Sequence, residues 1–187
     1  MKKGKFVIIT GPSAVGKTDA VKSLLERTLN TGRLITTTTR EPRDGEIDGV
    51  DYYFISQKRF LEEKDGEGFL ETANNYGNFY GSSREKVEEM LLVHSVVFGI
   101  LDVKGAHIIK EKMPEAIVIF LAPGSLNDII RRLNNRAGVK QEEKEKRIEE
   151  AVVELLSASM FDHTVKNIEG KFEETVKKII DILLKIT

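Results

Sequence analysis

Gly11-Pro12-Ser13-Ala14-Val15-Gly16-Lys17-Thr18 fits the spacing GxxxxGK[ST] in full. Its glycines let backbone N–H groups approach phosphate oxygens with no Cβ in the way, and a following helix adds the positive end of its dipole. Lys17 is placed to reach β- and γ-phosphates, and the Thr18 hydroxyl to ligate Mg²⁺. A glycine-rich tight turn is the plain alternative. However, the segment stands between an apolar run and a helical pattern, where a phosphate-binding loop has to stand. These residues predict a bound nucleoside triphosphate with Mg²⁺.

Other residues add to that chemistry. Val96-Val97-Phe98-Gly99-Ile100-Leu101-Asp102 is an apolar run ending in an acid. At the carboxyl end of a parallel strand, Asp102 would face the metal or its water shell; capping the next helix is the other reading. Arg40 and Arg43 lie three apart beside Thr36 to Thr39, and guanidinium forks grip phosphate through two parallel bonds. Tyr52 and Tyr80 offer phenolic donors nearby. Glu71 is a lone acid after Phe69-Leu70. A carboxylate accepts both N1–H and the 2-amino group from one edge of guanine, whereas adenine leaves it badly paired. Taken singly, each has a duller reading: arginines as surface ion pairs, tyrosines as packing, Glu71 as a solvated acid.

Composition narrows the field. The 187 residues suggest one domain with small inserts, and 40% apolar content is enough to bury a core. Twenty-nine basic against thirty acidic residues leave a charge of −1, which advertises neither a nucleic-acid nor a membrane partner. With no Cys, disulfides, thiolate metal sites and Cys nucleophiles are excluded. His94, His107 and His163 are not spaced as a metal pair and carry no proposed chemistry. After the basic start, Phe6-Val7-Ile8-Ile9 is too short for a signal h-region. No run approaches a membrane span, so a soluble cytoplasmic protein is expected.

The elements that must position these residues alternate strand and helix. Phe6 to Thr10, Ser95 to Leu101, Ala116 to Leu121 and His163 to Lys166 read as strands. A first helix carries Val21, Leu24, Leu25 and Leu29 on one face and stops at Thr31-Gly32, where glycine takes a left-handed cap. Further helices are predicted over Val103 to Lys112, from a Ser125 cap to about Asn134, over Gln141 to Met160, and around Phe172 to Leu183. This order means an α/β protein: a parallel sheet with helices on both faces. Residues 34 to 93 break the rhythm. Leu34 to Thr39, Val50 to Ile55 and Gly68 to Ala73 look like short strands, and Ser82-Ser83-Arg84-Glu85 like a capping box for a helix to Val93. They form a small mixed α+β insert. The mixed-sign run Lys140 to Glu150 reads as a solvated helix face.

Several stretches resemble the guanylate kinase family in order and with matching gaps: Gly11 to Thr18, Thr37 to Phe54, Glu67-Gly68-Phe69-Leu70-Glu71, Tyr76 to Ser82, and Leu101 to Ala106. The segment TTREPRDGEIDGVDYYF is the most specific of them. The resemblance implies a P-loop NTPase core (1–33, 94–131 and 149–187), a GMP-binding insert (34–93) and a short lid (132–148). It implies transfer of the γ-phosphoryl group of ATP to GMP, with Mg²⁺, by a monomer or homodimer. Arg40, Arg43, Tyr52 and Tyr80 would bind the GMP phosphate. Thr36, Glu71 and Ser82 would read the guanine edge, and Asp102 would complete the GMP-binding set. Arg132, Arg136 and Arg147 resemble lid arginines that contact the transferring phosphates, with Lys17 and Arg40 as the other catalytic cations. ATP would sit on Gly11, Ser13, Ala14, Val15, Gly16, Lys17 and Thr18, with Asn167 near the adenine; the metal would sit by Thr18 and, through water, Asp102.

The chain departs from the family at four places. Ile100 stands where an acid is general, Lys104 where Gln is general, Arg136-Ala137-Gly138 where Arg-Gly-Thr is usual, and Glu143-Lys144 at positions often apolar. Two other functions stay open on the residues: a phosphotransferase with another phosphorylated acceptor, and a non-catalytic binding module. A pure scaffold has no physical reason to keep Lys17 in an intact loop.

Overall fold

Phe6, Val7, Ile8, Ile9 and Thr10 are all buried, which makes β1 (Lys5–Thr10) an interior strand. The computed structural model describes residues 3–75, 77–135 and 141–186. After β1 come α1 (Lys17–Arg27), β2 (Thr31–Arg33), β3 (Thr37–Thr38), β4 (Tyr53–Phe54), α2 (Gln57–Asp65), β5 (Phe69–Asn75), β6 (Asn78–Ser83), α3 (Arg84–Val93) and β7 (Val96–Ile100). Then follow α4 (Val103–Lys112), β8 (Ile117–Pro123), α5 (Leu126–Asn134), α6 (Gln141–Leu156), a 3-10 turn (Ser157–Met160), β9 (His163–Asn167) and α7 (Phe172–Ile186).

The main sheet has the order β2-β7-β1-β8-β9, and its pairings are all parallel. Side chains of β1 alternate across it. Val7 and Ile9 join one buried cluster with Val21 and Leu24 of α1, Ile129 of α5, Ala151 of α6 and Ile179 of α7. Phe6 and Ile8 join a second cluster with Val87 and Leu91 of α3, Ala106 and Ile109 of α4, and Leu70 of β5. Each such aliphatic or aromatic burial stabilises by about 1.5–3 kcal/mol. Helices therefore cover both faces, as the alternating pattern predicts. Neighbours of β1 diverge to β7 on one side and β8 on the other, so its carboxyl end is the switch point where ligands of such sheets bind.

A second sheet has the order β4-β3-β6-β5. Its β3–β4 pair is parallel, and β3–β6 and β5–β6 are antiparallel. Phe60 of α2 stacks on Phe69 at 4.6 Å and on Phe79 at 5.5 Å, which gives this sheet an aromatic centre. The register of β5 on β6 shifts between Phe69 and Glu71. Such a bulge re-aims side chains: Leu70 and Glu71 are both buried, and Glu71 pairs opposite Ser82.

Several sequence expectations need correction. α1 ends at Arg27 with Thr28 as its extended cap. Asn30, at φ 54, takes the left-handed turn, while Gly32 lies inside β2. Leu29 is therefore off the helix and 95% exposed. The run Leu34 to Thr39 is not one strand; Thr31–Arg33 and Thr37–Thr38 belong to different sheets. Val50 to Ile55 contributes only Tyr53–Phe54. Helix α2 and strand β6 were not expected. Ser83, not Ser82, caps α3, accepting from the Lys86 N–H, because the Ser82 hydroxyl is committed to Glu71. The helix from Gln141 ends at Leu156 and passes into the 3-10 turn.

Candidate functional site

The loop after β1 needs its glycines where backbone and neighbours crowd it. Gly11 has φ 133, and a Cβ there would come within 2.2 Å of the Leu121 carbonyl oxygen. Gly16 has φ 98, and its Cβ would meet Asn167 Nδ2 at 2.7 Å. Ala14 takes φ 62 without being glycine. The Lys17 ammonium turns back over the loop and donates to the carbonyls of Gly11 at 2.6 Å and Pro12 at 3.0 Å. Thr18 sits in the first turn of α1, at the exposed end facing the loop.

Two arginines approach the same loop from the far helices. Arg132 of α5 donates to the carbonyls of Ala14 at 3.2 Å and Val15 at 3.4 Å. Arg147 of α6 donates to the Ser13 hydroxyl at 3.1 Å. Asn167, at the end of β9, donates to the Val15 carbonyl at 2.8 Å and accepts from Thr175 at 3.3 Å. A cleft of about 290 Å³ opens there, lined by Ala14, Gly16, Asp19, Arg132, Asn167 and Phe172 among others. Asn167 itself lines this cleft. Arg136 lies outside the described residues, as do Ala137, Gly138 and Tyr76.

The mixed sheet brings a second set together. Arg40 donates to Glu46 Oε1 at 2.9 Å and to the Glu41 carbonyl at 2.6 Å. Its guanidinium lies 5.5 Å from the Tyr52 ring centre, and Tyr52 meets Tyr80 edge-on at 6.0 Å. Burial acts to lower the Arg40 pKa, but hydrogen bonds with Glu46 and Tyr80 prevail and raise it. Burial raises the Tyr52 phenol. Arg40 Nε is buried with no hydrogen-bond partner among the described residues. Buried donors of this kind are rare and ask for an acceptor; an anion lying against Arg40, Tyr52 and Tyr80 would supply one. Arg43 is exposed at the rim, where its backbone N–H donates to Glu46 Oε2.

Glu71 and Ser82 form the buried end of this set, with Ser82 Oγ donating to Glu71 Oε1 at 2.7 Å. Thr36 is also buried, and its carbonyl accepts from the Tyr53 N–H. Glu71 Oε2 lies so close to α4 that a Cβ on Gly105 would stand 3.1 Å from it. Burial pushes the Glu71 carboxyl up to about 7, with the charge of Asp102 adding and the Ser82 hydrogen bond opposing. The folded chain thus keeps a proton on Glu71 that the unfolded chain, near 4.5, has lost. The resulting stability is full below pH 4.5, falls as the pH rises toward 7, and is then gone. At about 1.4 kcal/mol per pH unit that is roughly 3 kcal/mol. Without ligands, Glu71→Gln is therefore expected to match the parent in Tm near pH 4.5 and to exceed it above pH 7. A Tm difference independent of pH would contradict this.

Asp102 joins the two halves. Its Oδ1 accepts from the Gly105 N–H at 2.7 Å, capping α4, and its Oδ2 accepts from Asn75 at 2.7 Å. The cap reading of the sequence is therefore realised. One acid went unnoticed in the sequence: Glu154 lies on α6 two turns from Arg147, on the face that also carries buried Ala151. Burial pushes its carboxyl up to about 7; the positive charges of Lys17 and Lys104 oppose this, and the negative charges of Asp102 and Glu150 add to it. The spacing of Arg147, Ala151 and Glu154 was the available signal. Ile100, one of the chain's departures from the family pattern, is half-buried against the cluster of Val7 and Ile9.

Comparisons with known proteins give the family. The family profile described as Guanylate kinase matches residues 3–186. The guanylate kinase of Prochlorococcus marinus subsp. pastoris is 40% identical over 179 residues, covering 96% of this chain and 96% of that one. A guanylate kinase of Thermus thermophilus is 41% identical over 184 residues, covering 97% of this chain and 81% of that one. The crystal structure of guanylate kinase from Anaplasma phagocytophilum matches with a TM-score of 0.80 at 27% identity, over 99% of this chain and 87% of that chain. Likeness that runs nearly end to end in sequence, and in a P-loop NTPase fold, leaves one conclusion: the chain belongs to the guanylate kinase family.

Proposed function

We propose that this chain transfers the γ-phosphoryl group of ATP to GMP, giving ADP and GDP, with a donor half on the loop after β1 and an acceptor half on the mixed sheet. One observation carries the acceptor assignment: a buried carboxylate, Glu71, held by Ser82 at 2.7 Å beside a cationic and phenolic cluster. A carboxylate facing guanine accepts N1–H and the 2-amino group together, and a site built this way rejects bases that leave it unpaired by up to about 10⁴-fold. In this reading 34–93 is the acceptor insert, 132–148 the lid, and 1–33, 94–131 and 149–187 the core.

Each residue has a physical task. An oxygen of the GMP phosphate attacks the γ-phosphorus as the bond to the β–γ bridging oxygen breaks, and ADP leaves with that oxygen. The acceptor is already an anion, so no strong general base is needed. Arg40, Arg43, Tyr52 and Tyr80 fix the acceptor phosphate; Thr36, Glu71 and Ser82 fix its base, with Asp102 beside Glu71 completing the GMP-binding set. Lys17, Arg132, Arg136 and Arg147 offset the charge spread over the transferring group. Gly11, Ser13, Ala14, Val15, Gly16 and Thr18 cradle the donor phosphates, and Asn167 faces the adenine. Thr18 and Asp102 suit Mg²⁺: a hydroxyl and a carboxylate are hard oxygen donors of the kind it takes alongside water and nucleotide phosphates. When bound, Mg²⁺ withdraws charge from the phosphates.

Closure over both substrates would exclude water as a competing acceptor. No helix among the described residues is long and apolar enough to cross a membrane. We place the reaction in the cytoplasm, by a monomer or homodimer with no nucleic-acid or membrane partner. The test is an ADP-release assay with ATP and Mg²⁺, comparing GMP with AMP, CMP, UMP and no acceptor. Turnover confined to GMP is expected. ATP binding without GMP-dependent turnover would overturn the reading in favour of another acceptor or a scaffold.

A further inference from the structure

We propose that Lys112 is a positioning residue: from the last turn of α4 it holds the bulge of β5 that presents Glu71, and so sets how sharply the acceptor half tells guanine from other bases. The inference deepens the proposed function and rests on Glu71 reading the guanine edge.

The bulge creates the need. Phe69 pairs with Ser83 and Glu71 with Ser82, two consecutive residues of β6, so Leu70 is the extra residue with no place in that register. A bulge leaves such a residue out of the ladder, and a buried carbonyl without a partner is costly. Leu70 is 3% exposed, and Lys112 Nζ donates to its carbonyl at 2.6 Å, across 42 residues of chain. That carbonyl belongs to the planar peptide joining Leu70 to Glu71. Anchoring it fixes the direction in which the Glu71 side chain leaves the backbone.

One face of α4 holds the bulge at three points. Gly105, Ile109 and Lys112 are spaced i, i+4 and i+7, so they share a stripe of the helix. Gly105 leaves room for the carboxylate: a Cβ there would stand 3.1 Å from Glu71 Oε2. Ile109 shares a buried cluster with the Leu70 side chain. Lys112 takes the Leu70 carbonyl. The same ammonium acts on the charge at Glu71: burial pushes that carboxyl up, and Lys112 is among the groups that oppose it. Lys112 is itself exposed at the end of the helix, so its exchange spares the core.

The test compares the parent with Lys112→Met, which keeps a long stem and removes the ammonium, and Lys112→Arg, which keeps a cation. Steady-state assays give the KM for ATP, for GMP and for inosine monophosphate, an acceptor that keeps N1–H and lacks the 2-amino group. For Lys112→Met we expect the KM for GMP to rise about tenfold, the lower end for a hydrogen bond to a charged group, and that for ATP to stay within about twofold. The preference for GMP over inosine monophosphate should shrink, because a displaced carboxylate loses the 2-amino bond that only GMP offers. Lys112→Arg should recover most of the loss, and Lys112→Met should add nothing on top of Glu71→Gln. An unchanged KM for GMP and an unchanged preference would overturn the proposal. So would an equal loss for GMP, inosine monophosphate and ATP together with a lower Tm, which marks a purely structural bond. If the parent itself shows no GMP-dependent turnover, the functional reading fails instead. Amide exchange of the ligand-free chain then still decides whether Lys112 holds the bulge. Protection over Phe69 to Thr72 should fall in Lys112→Met and persist in Lys112→Arg; unchanged protection in Lys112→Met would overturn the proposal.

Discussion

Lys17→Ala is expected to lower kcat for GMP phosphorylation about 10³-fold while the fold survives. The ammonium lies on the loop itself, bonded to the carbonyls of Gly11 at 2.6 Å and Pro12 at 3.0 Å, the loop on which the proposed function puts the β- and γ-phosphates. Charge spreads over the transferring group's oxygens in the transition state, and removing one preorganised donor from such a charge costs about 10²–10³ in rate. Lys17 is the cation built into the loop backbone, which argues for the upper end. Arg132 and Arg147 also reach the loop, but from other helices, and neither replaces a cation lost at its centre. Single-turnover rates together with a Tm check the claim. Near-normal turnover in a folded variant would remove Lys17 from the phosphate chemistry.

Glu71→Gln should raise the KM for GMP about 10²–10³-fold and leave that for ATP within about twofold. Gln keeps the shape, and its carbonyl can still accept from Ser82. It turns an amide N–H₂ toward a guanine edge that itself donates, so one strong pair becomes a clash of donors. The buried setting of Glu71 denies water as a substitute partner. Parallel KM measurements for both substrates decide it: equal effects on GMP and ATP would take Glu71 out of base recognition. The pH dependence gives a second view. Guanine needs the ionised carboxylate, whereas burial holds the group near 7. GMP affinity should therefore fall by up to about tenfold per pH unit below 7, beyond whatever slope remains in Glu71→Gln.

The phosphate loop could be read from sequence because its constraint is local. Glycines at 11 and 16 are demanded by positive φ and close backbone approach, and these leave a mark in the residues themselves. Strands β1, β7 and β8 announced themselves by unbroken apolar runs. By contrast, α2 has one buried residue, Phe60, and so no stripe for periodicity to find. Strand β6, with the sequence NFYGSS, is polar and small; its conformation comes from pairing with β5, not from its own propensity. Leu29 continues the apolar spacing of Val21, Leu24 and Leu25, but α1 ends at Arg27 and leaves it in solvent. At the site, residue types gave Glu71, Arg40 and the two tyrosines as candidates, and the family resemblance gave them roles. Glu154 and Asn75 depend on which way α6 and β5 face, and that is set by tertiary packing.

Strand β1 divides the interior into two compartments. Phe6 and Ile8 serve the side that seats Leu70 and α4, while Val7 and Ile9 serve the side that seats α1, α5, α6 and α7. The wall behind the acceptor and the wall behind the donor therefore share a backbone but few side chains. Core changes on opposite sides should combine additively. Such a chain can explore new acceptors by drift on one side while its handling of ATP stays sheltered on the other, so the partition favours evolvability as well as stability.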